Sequence, residues 1–82
     1  MKDQPTPLWT LERDGQEVSC LVRLVRYGIE VDIAHDGAVV LTRAFETDVE
    51  ALAWAGEKRA ARQAQGWRPA PEPSDHANNR LD

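Results

Sequence analysis

The sequence predicts an α+β domain: a four-stranded antiparallel meander followed by one C-terminal helix packed on one sheet face, in the order β-β-β-β-α. Three observations predict it. Asp14-Gly15, Gly28 and Asp36-Gly37 separate four apolar-rich runs at spacings suited to hairpins. The runs are rich in Val, Ile and Leu, which suit a pleated, half-buried surface. A capped stretch with helical periodicity then follows, from Thr47 to Gly66.

Strands are expected at 8–13, 17–25, 28–35 and 38–45. Residues opposite each other across a pair share a face, so the turns set the register. A two-residue turn at Asp14-Gly15 places Leu11 opposite Val18 and Trp9 opposite Cys20. A two-residue turn at Arg26-Tyr27 sets Leu24 against Ile29, Val22 against Val31 and Arg23 against Glu30; a turn at Tyr27-Gly28 would shift this pairing. For the last hairpin, a three-residue loop His35-Asp36-Gly37 sets Ile33 against Val39 and Val31 against Leu41. A two-residue loop there would send Leu41 and Phe45 outward. One face then gathers Trp9, Leu11, Val18, Cys20, Val22, Leu24, Ile29, Val31, Ile33, Val39, Leu41 and Phe45 as the core. The other carries Thr10, Glu12, Glu17, Ser19, Arg23, Glu30, Asp32 and Thr42 toward water.

The helix has its own signals. Thr47 is an N-cap with Glu50 three residues on, the capping-box spacing. Asp48 and Glu50 open it, while Lys58, Arg59 and Arg62 lie toward its far end, which suits the macrodipole. Gly66 is the expected stop. Two apolar stripes run along it. Val49, Leu52, Ala53, Gly56 and Ala60 form one; Ala51, Trp54, Ala55 and Ala61 form the other. The pattern does not decide which faces the sheet, and either choice leaves apolar surface uncovered. Trp54 is accordingly open between core and interface, whereas Trp67 is expected to fold back over the open end of the core.

Eighty-two residues suffice for one domain. Residues 1–7 read as a flexible lead-in, 8–67 as the domain, and 68–82 as a disordered proline-rich and polar tail, since Pro69, Pro71 and Pro73 alternate with short residues. Cys20 is the single cysteine, which excludes a disulfide scaffold. Met1 to Pro5 lacks the apolar stretch of a signal peptide, and no apolar run approaches the ~20 residues of a membrane span. The cytoplasm is the expected compartment, with no membrane contact.

The chain offers little for catalysis. Cys20 points into the core, where a thiol behaves as a small apolar group, and His35 lies about two rows away. Asp32, His35 and Asp36 lack a further His or Cys at ligand spacing. His76 falls in the tail. The glycines are isolated turn residues rather than a phosphate loop, and Glu12 with Glu17 reads as a solvated pair. No catalytic residue, metal ligand or cofactor is assigned. The domain is expected not to be an enzyme.

Surplus apolar surface points instead to an interaction module with an unknown protein partner or a second copy of itself. Leu8, Leu21 and Val40 are expected in one row across the outer sheet face, with Trp54 as a further anchor. The alternative is a nucleic-acid-binding domain. Strands followed by a helix, from Gly28 to Arg62 through Phe45-Glu46-Thr47 into Ala51 and Trp54, resemble the arm-binding N-terminal domain of tyrosine recombinases. That resemblance implies a sheet inserted in a DNA groove. This chain departs from it in placing Glu12, Glu17, Glu30 and Asp32 on the face concerned, which repels phosphate. The basic helix end, Lys58, Arg59 and Arg62 with Arg68, is the other nucleic-acid candidate. Net charge is −4, and ten acidic residues face seven basic ones between Leu8 and Trp67. Nucleic acid is therefore the less expected partner.

Overall fold

The computed structural model describes residues 5–70. Residues 1–4 and 71–82, which hold part of the expected lead-in and most of the expected tail with His76, lie outside the described residues.

Five elements build the predicted architecture, and a sixth extends it. Strands β1 (Thr6–Arg13), β2 (Gln16–Val25), β3 (Gly28–His35) and β4 (Ala38–Phe45) form an antiparallel meander, followed by helix α1 (Asp48–Ala64). A two-residue strand β5 (Arg68–Pro69) then pairs with β1, giving the sheet order β4-β3-β2-β1-β5.

The first two hairpins have the expected register. Asp14 and Gly15 both have positive φ (52° and 79°), as a tight two-residue hairpin turn requires. Leu11 pairs with Val18 and Trp9 with Cys20. Across the second hairpin Val25 pairs with Gly28, Leu24 with Ile29 and Arg23 with Glu30. Gly28 admits no side chain: its φ is 151°, and a Cβ there would run into the Phe45 carbonyl oxygen.

The third hairpin differs from expectation. Its turn is the two-residue Asp36-Gly37, again with positive φ at both positions, and His35 pairs with Ala38. A bulge then absorbs Val40, so Ile33 meets Leu41 rather than Val39, and Val31 meets Arg43 rather than Leu41. Two features were at odds in the sequence: Asp36-Gly37 favours the tight turn, and burial favours Leu41 and Phe45 inward. One extra residue keeps the tight turn and returns Leu41 and Phe45 to the helix side, where Phe45 packs on the core and Leu41 stays 44% exposed. Val39, opposite Ala34, moves to the outer face. Asp36 latches this turn to β2, its amide donating to the Glu17 carbonyl at 2.7 Å and its Oδ1 accepting from the Glu17 amide at 2.8 Å.

Irregularity also marks β1. The register slips between Pro7 and Trp9, beside a proline with no N–H to give the ladder. Leu8 sits at the slip and packs against the core rather than joining an outer row.

The core lies between the sheet and α1. Leu11, Val18, Cys20, Val31, Ile33, Ala51, Ala55 and Trp67 are buried together, with Trp9, Val22, Ile29, Phe45 and Trp54 packed around them. Thr47 caps the helix, its Oγ1 accepting from the Glu50 amide at 3.2 Å. At the other end Gly66 turns with φ 96°, and the Trp67 amide donates to the Arg62 carbonyl at 3.2 Å. That reversal drops Trp67 into the core, with its ring edge-on to His35 at 6.3 Å between centroids. The chain then runs beside β1, pairing Arg68 with Glu12 and Pro69 with Leu11. Arg68 and Pro69 thus belong to the sheet rather than to the tail.

Candidate functional site

Helix α1 lies against β3 and β4, and the stripe it presents to the sheet is the one made of small residues. Ala51 and Ala55 are 1% and 2% exposed. Their size lets the helix approach closely enough for the Trp9 indole N–H to donate to the Ala55 carbonyl at 3.1 Å. A branched side chain at either position would hold the helix away from that bond. Trp54 sits half-buried at the β4 side, its ring 5.6 Å from that of Phe45. The Arg43 guanidinium and the Lys58 ammonium lie 6.0 and 5.2 Å from the Trp54 centroid.

The larger apolar residues therefore point away from the core. Val49 is 73% exposed and Leu52 is 53% exposed. Ala53, Gly56, Ala60 and Gln63 continue the same exposed side at helical spacing. Beside Leu52 the strand ends leave an open groove of about 300 Å³, lined by Thr6, Val22, Leu24, Ile29, Asp48 and Ala51 among others. Leu24, on the helix side of β2, is 74% exposed at its rim. Leu24, Leu52 and Val49 thus form an uncovered apolar surface, spanning a strand end and the outward helix face.

The expected interface residues do not assemble. Pro7, Leu21, Asp32 and Thr42 occupy the central row of the outer sheet face, by direct pairing. Leu21 is half-buried in that row, Leu8 has left it, and Val40 is exposed in its bulge on the edge strand. The face is also less wet than its composition suggests. Asp32 is buried at its centre, accepting from Thr42 Oγ1 at 2.7 Å and lying 3.6 Å from the Arg23 guanidinium. Arg23 in turn donates twice to Glu30 Oε1, at 3.0 and 2.7 Å. These charges satisfy one another.

The candidate nucleic-acid residues are similarly divided. Lys58 lies over Trp54 and Arg62 over Trp67, at 5.2 and 5.6 Å, while Arg59 is exposed and Arg68 belongs to β5. Cys20 is fully buried, and burial pushes its thiol from the ordinary 9 up to about 11, with the nearby Asp32 charge adding to the effect. Such a thiol is a poor nucleophile at neutral pH. Among the described residues no cluster of His, Cys, Asp and Glu is placed to hold a metal ion, and no helix is long and apolar enough to cross a membrane. No family model, characterised protein or solved structure matches this chain.

The residues that gather at the surface, Val49, Leu52, Leu24 and Gly56, were not singled out from the sequence as an interface. Val49, Leu52 and Gly56 were legible as one of the two apolar helix stripes, whereas Leu24 was expected in the core and is exposed instead.

Proposed function

We propose that this domain is a non-enzymatic interaction module of the cytoplasm, and that its contact surface is the outward face of α1 together with Leu24. One observation carries the reading: Val49, Leu52 and Leu24 are all more than half exposed on adjoining elements. Fully burying side chains of this size is worth roughly 1.5–3 kcal/mol each, so a partner covering them gains substantially. The sealed Cys20 and the self-satisfied charges of the outer sheet face support a binding role over a catalytic one.

Photo-crosslinking in cells tests this. A photoreactive phenylalanine analogue at position 52 is expected to yield a discrete protein adduct, and the same probe at Glu12, exposed at the opposite end of the β1–β2 hairpin from Leu24, none. Absence of any adduct from positions 49 and 52 overturns the reading. The alternative, nucleic-acid binding by Lys58, Arg59, Arg62 and Arg68, predicts saturable, salt-dependent binding to short duplexes that is lost when these residues are neutralised.

A further inference from the structure

Gly56 is at the centre of the exposed side of α1, four residues from Leu52 and four from Ala60. Nothing in the fold calls for glycine there. It lies in the helix interior, and a Cβ added to it meets no atom within 4 Å. Glycine in such a place makes a helix less stable than alanine would. What glycine provides is access, because another backbone can approach where the Cβ is missing.

The residues on either side of Gly56 are unequal in size and opposite in charge. Toward the N-terminus the exposed side carries Val49 and Leu52; toward the C-terminus it carries Ala60 and Gln63. At about 100° per residue, Asp48 and Arg59 fall on the same flank of this side, eight residues before and three residues after Gly56. Both are exposed, and among the described residues Arg59 meets no carboxylate within ion-pair distance. Leu24 borders the same flank, since Asp48, Leu52 and Leu24 line one groove.

We infer that this face receives a second copy of the chain, with the two α1 helices antiparallel and related by a two-fold axis at Gly56. The inference rests on the reading of the outward face as a contact surface and names its occupant. A two-fold contact must be self-complementary, and this pattern is so only in the antiparallel sense. Leu52 then lies beside the partner's Ala60, large against small, and Val49 beside the partner's Gln63. Asp48 shares a flank with the partner's Arg59, about 7.5 Å along the helix axis from it, a span the long arginine side chain can bridge, so unlike charges attract twice across the axis. A parallel arrangement would set Leu52 on Leu52 and Asp48 on Asp48.

Sedimentation of the full chain over a wide concentration range, together with cysteine cross-linking, tests the arrangement. The wild-type chain is expected to dimerise. Leu52→Lys should weaken the dimer by about tenfold or more, the scale of one lost anchor. Gly56→Ala should do the same while raising the melting temperature of the dilute monomer, two opposite shifts that a purely structural glycine would not produce. Gly56→Cys is expected to form a disulfide-linked dimer on mild oxidation, because the two-fold brings its Cα atoms within about 7 Å; Val40→Cys, on the edge strand, is not. A chain that remains monomeric to about 1 mM overturns the inference, as does cross-linking through position 40 in preference to 56. Monomeric behaviour combined with a heterologous adduct at position 52 in cells removes the second copy and leaves the contact surface standing.

Discussion

The two sides of α1 invert the usual order of size. Its inward side presents Ala51 and Ala55 to the sheet, and its outward side presents Val49 and Leu52 to solvent. Hydrophobicity alone would place leucine inside. Distance decides otherwise: the sheet already supplies Trp9, Phe45 and the branched residues of β2 and β3, so the helix contributes small residues and comes close. Burial in this fold is limited by the space between the layers. Exposure of Leu52 is therefore not a packing defect, and the contrast between the sides separates what folds the chain from what is free to bind.

Enlarging the inward side is the strongest challenge to that contrast. Ala55→Leu should destabilise the domain by about 1–3 kcal/mol through overpacking and loss of the Trp9 bond to the Ala55 carbonyl, read by urea denaturation. A neutral result would mean that the helix is not held close.

Alkaline pH examines what that side seals. Cys20 keeps its proton in the folded chain up to about pH 11, whereas the unfolded chain releases it near 9. Stability from this group is complete below pH 9 and is lost as pH rises from 9 through 11, by roughly 3 kcal/mol at most. Cys20→Ala should flatten the fall in stability between pH 9 and 11 relative to wild type; an unchanged slope would place the thiol in contact with water.

The helix start is a smaller test. Thr47→Ala removes the acceptor for the Glu50 amide and should cost about 1 kcal/mol. The outward side should respond least. Val49→Lys with Leu52→Lys is expected to change the unfolding free energy of the dilute chain by less than about 0.5 kcal/mol, measured by thermal melting. A loss of several times that amount would make these residues core and erase the distinction.

Much of this fold was legible because its turns are local. Asp-Gly pairs, a glycine before β3, a threonine cap and alternation along the strands each act within a few residues, and they agree with one another. The third hairpin was legible only in part. Its turn and its alternation required different registers, and the bulge at Val40 that reconciles them leaves no residue signature of its own. β5 escaped for a related reason. Two residues, one of them Pro69, carry no periodicity, and only the return of Trp67 to the core brings them beside β1. The buried Asp32 depended on neighbours from three strands, and the choice between helix stripes on the spacing of two layers. Both are tertiary facts. The expected row of Leu8, Leu21 and Val40 does not line up, because two irregularities, at Leu8 and Val40, interrupt an outer sheet face whose alternation looked continuous.

The pairing of β5 with β1 has a consequence for the order in which the chain is made. Leu11 is synthesised early and its edge partner Pro69 is 58 residues later. At about 5–20 residues per second on the ribosome, roughly 3–12 seconds separate the two. The three hairpins join neighbours in sequence and can form as soon as each clears the exit tunnel, within microseconds. β1 meanwhile has β2 on one side and an unpaired row of backbone groups on the other, next to Trp9 and Leu11. The nascent domain thus passes through a stage with both sheet edges open, and the last residues of the domain to emerge are those that close one of them.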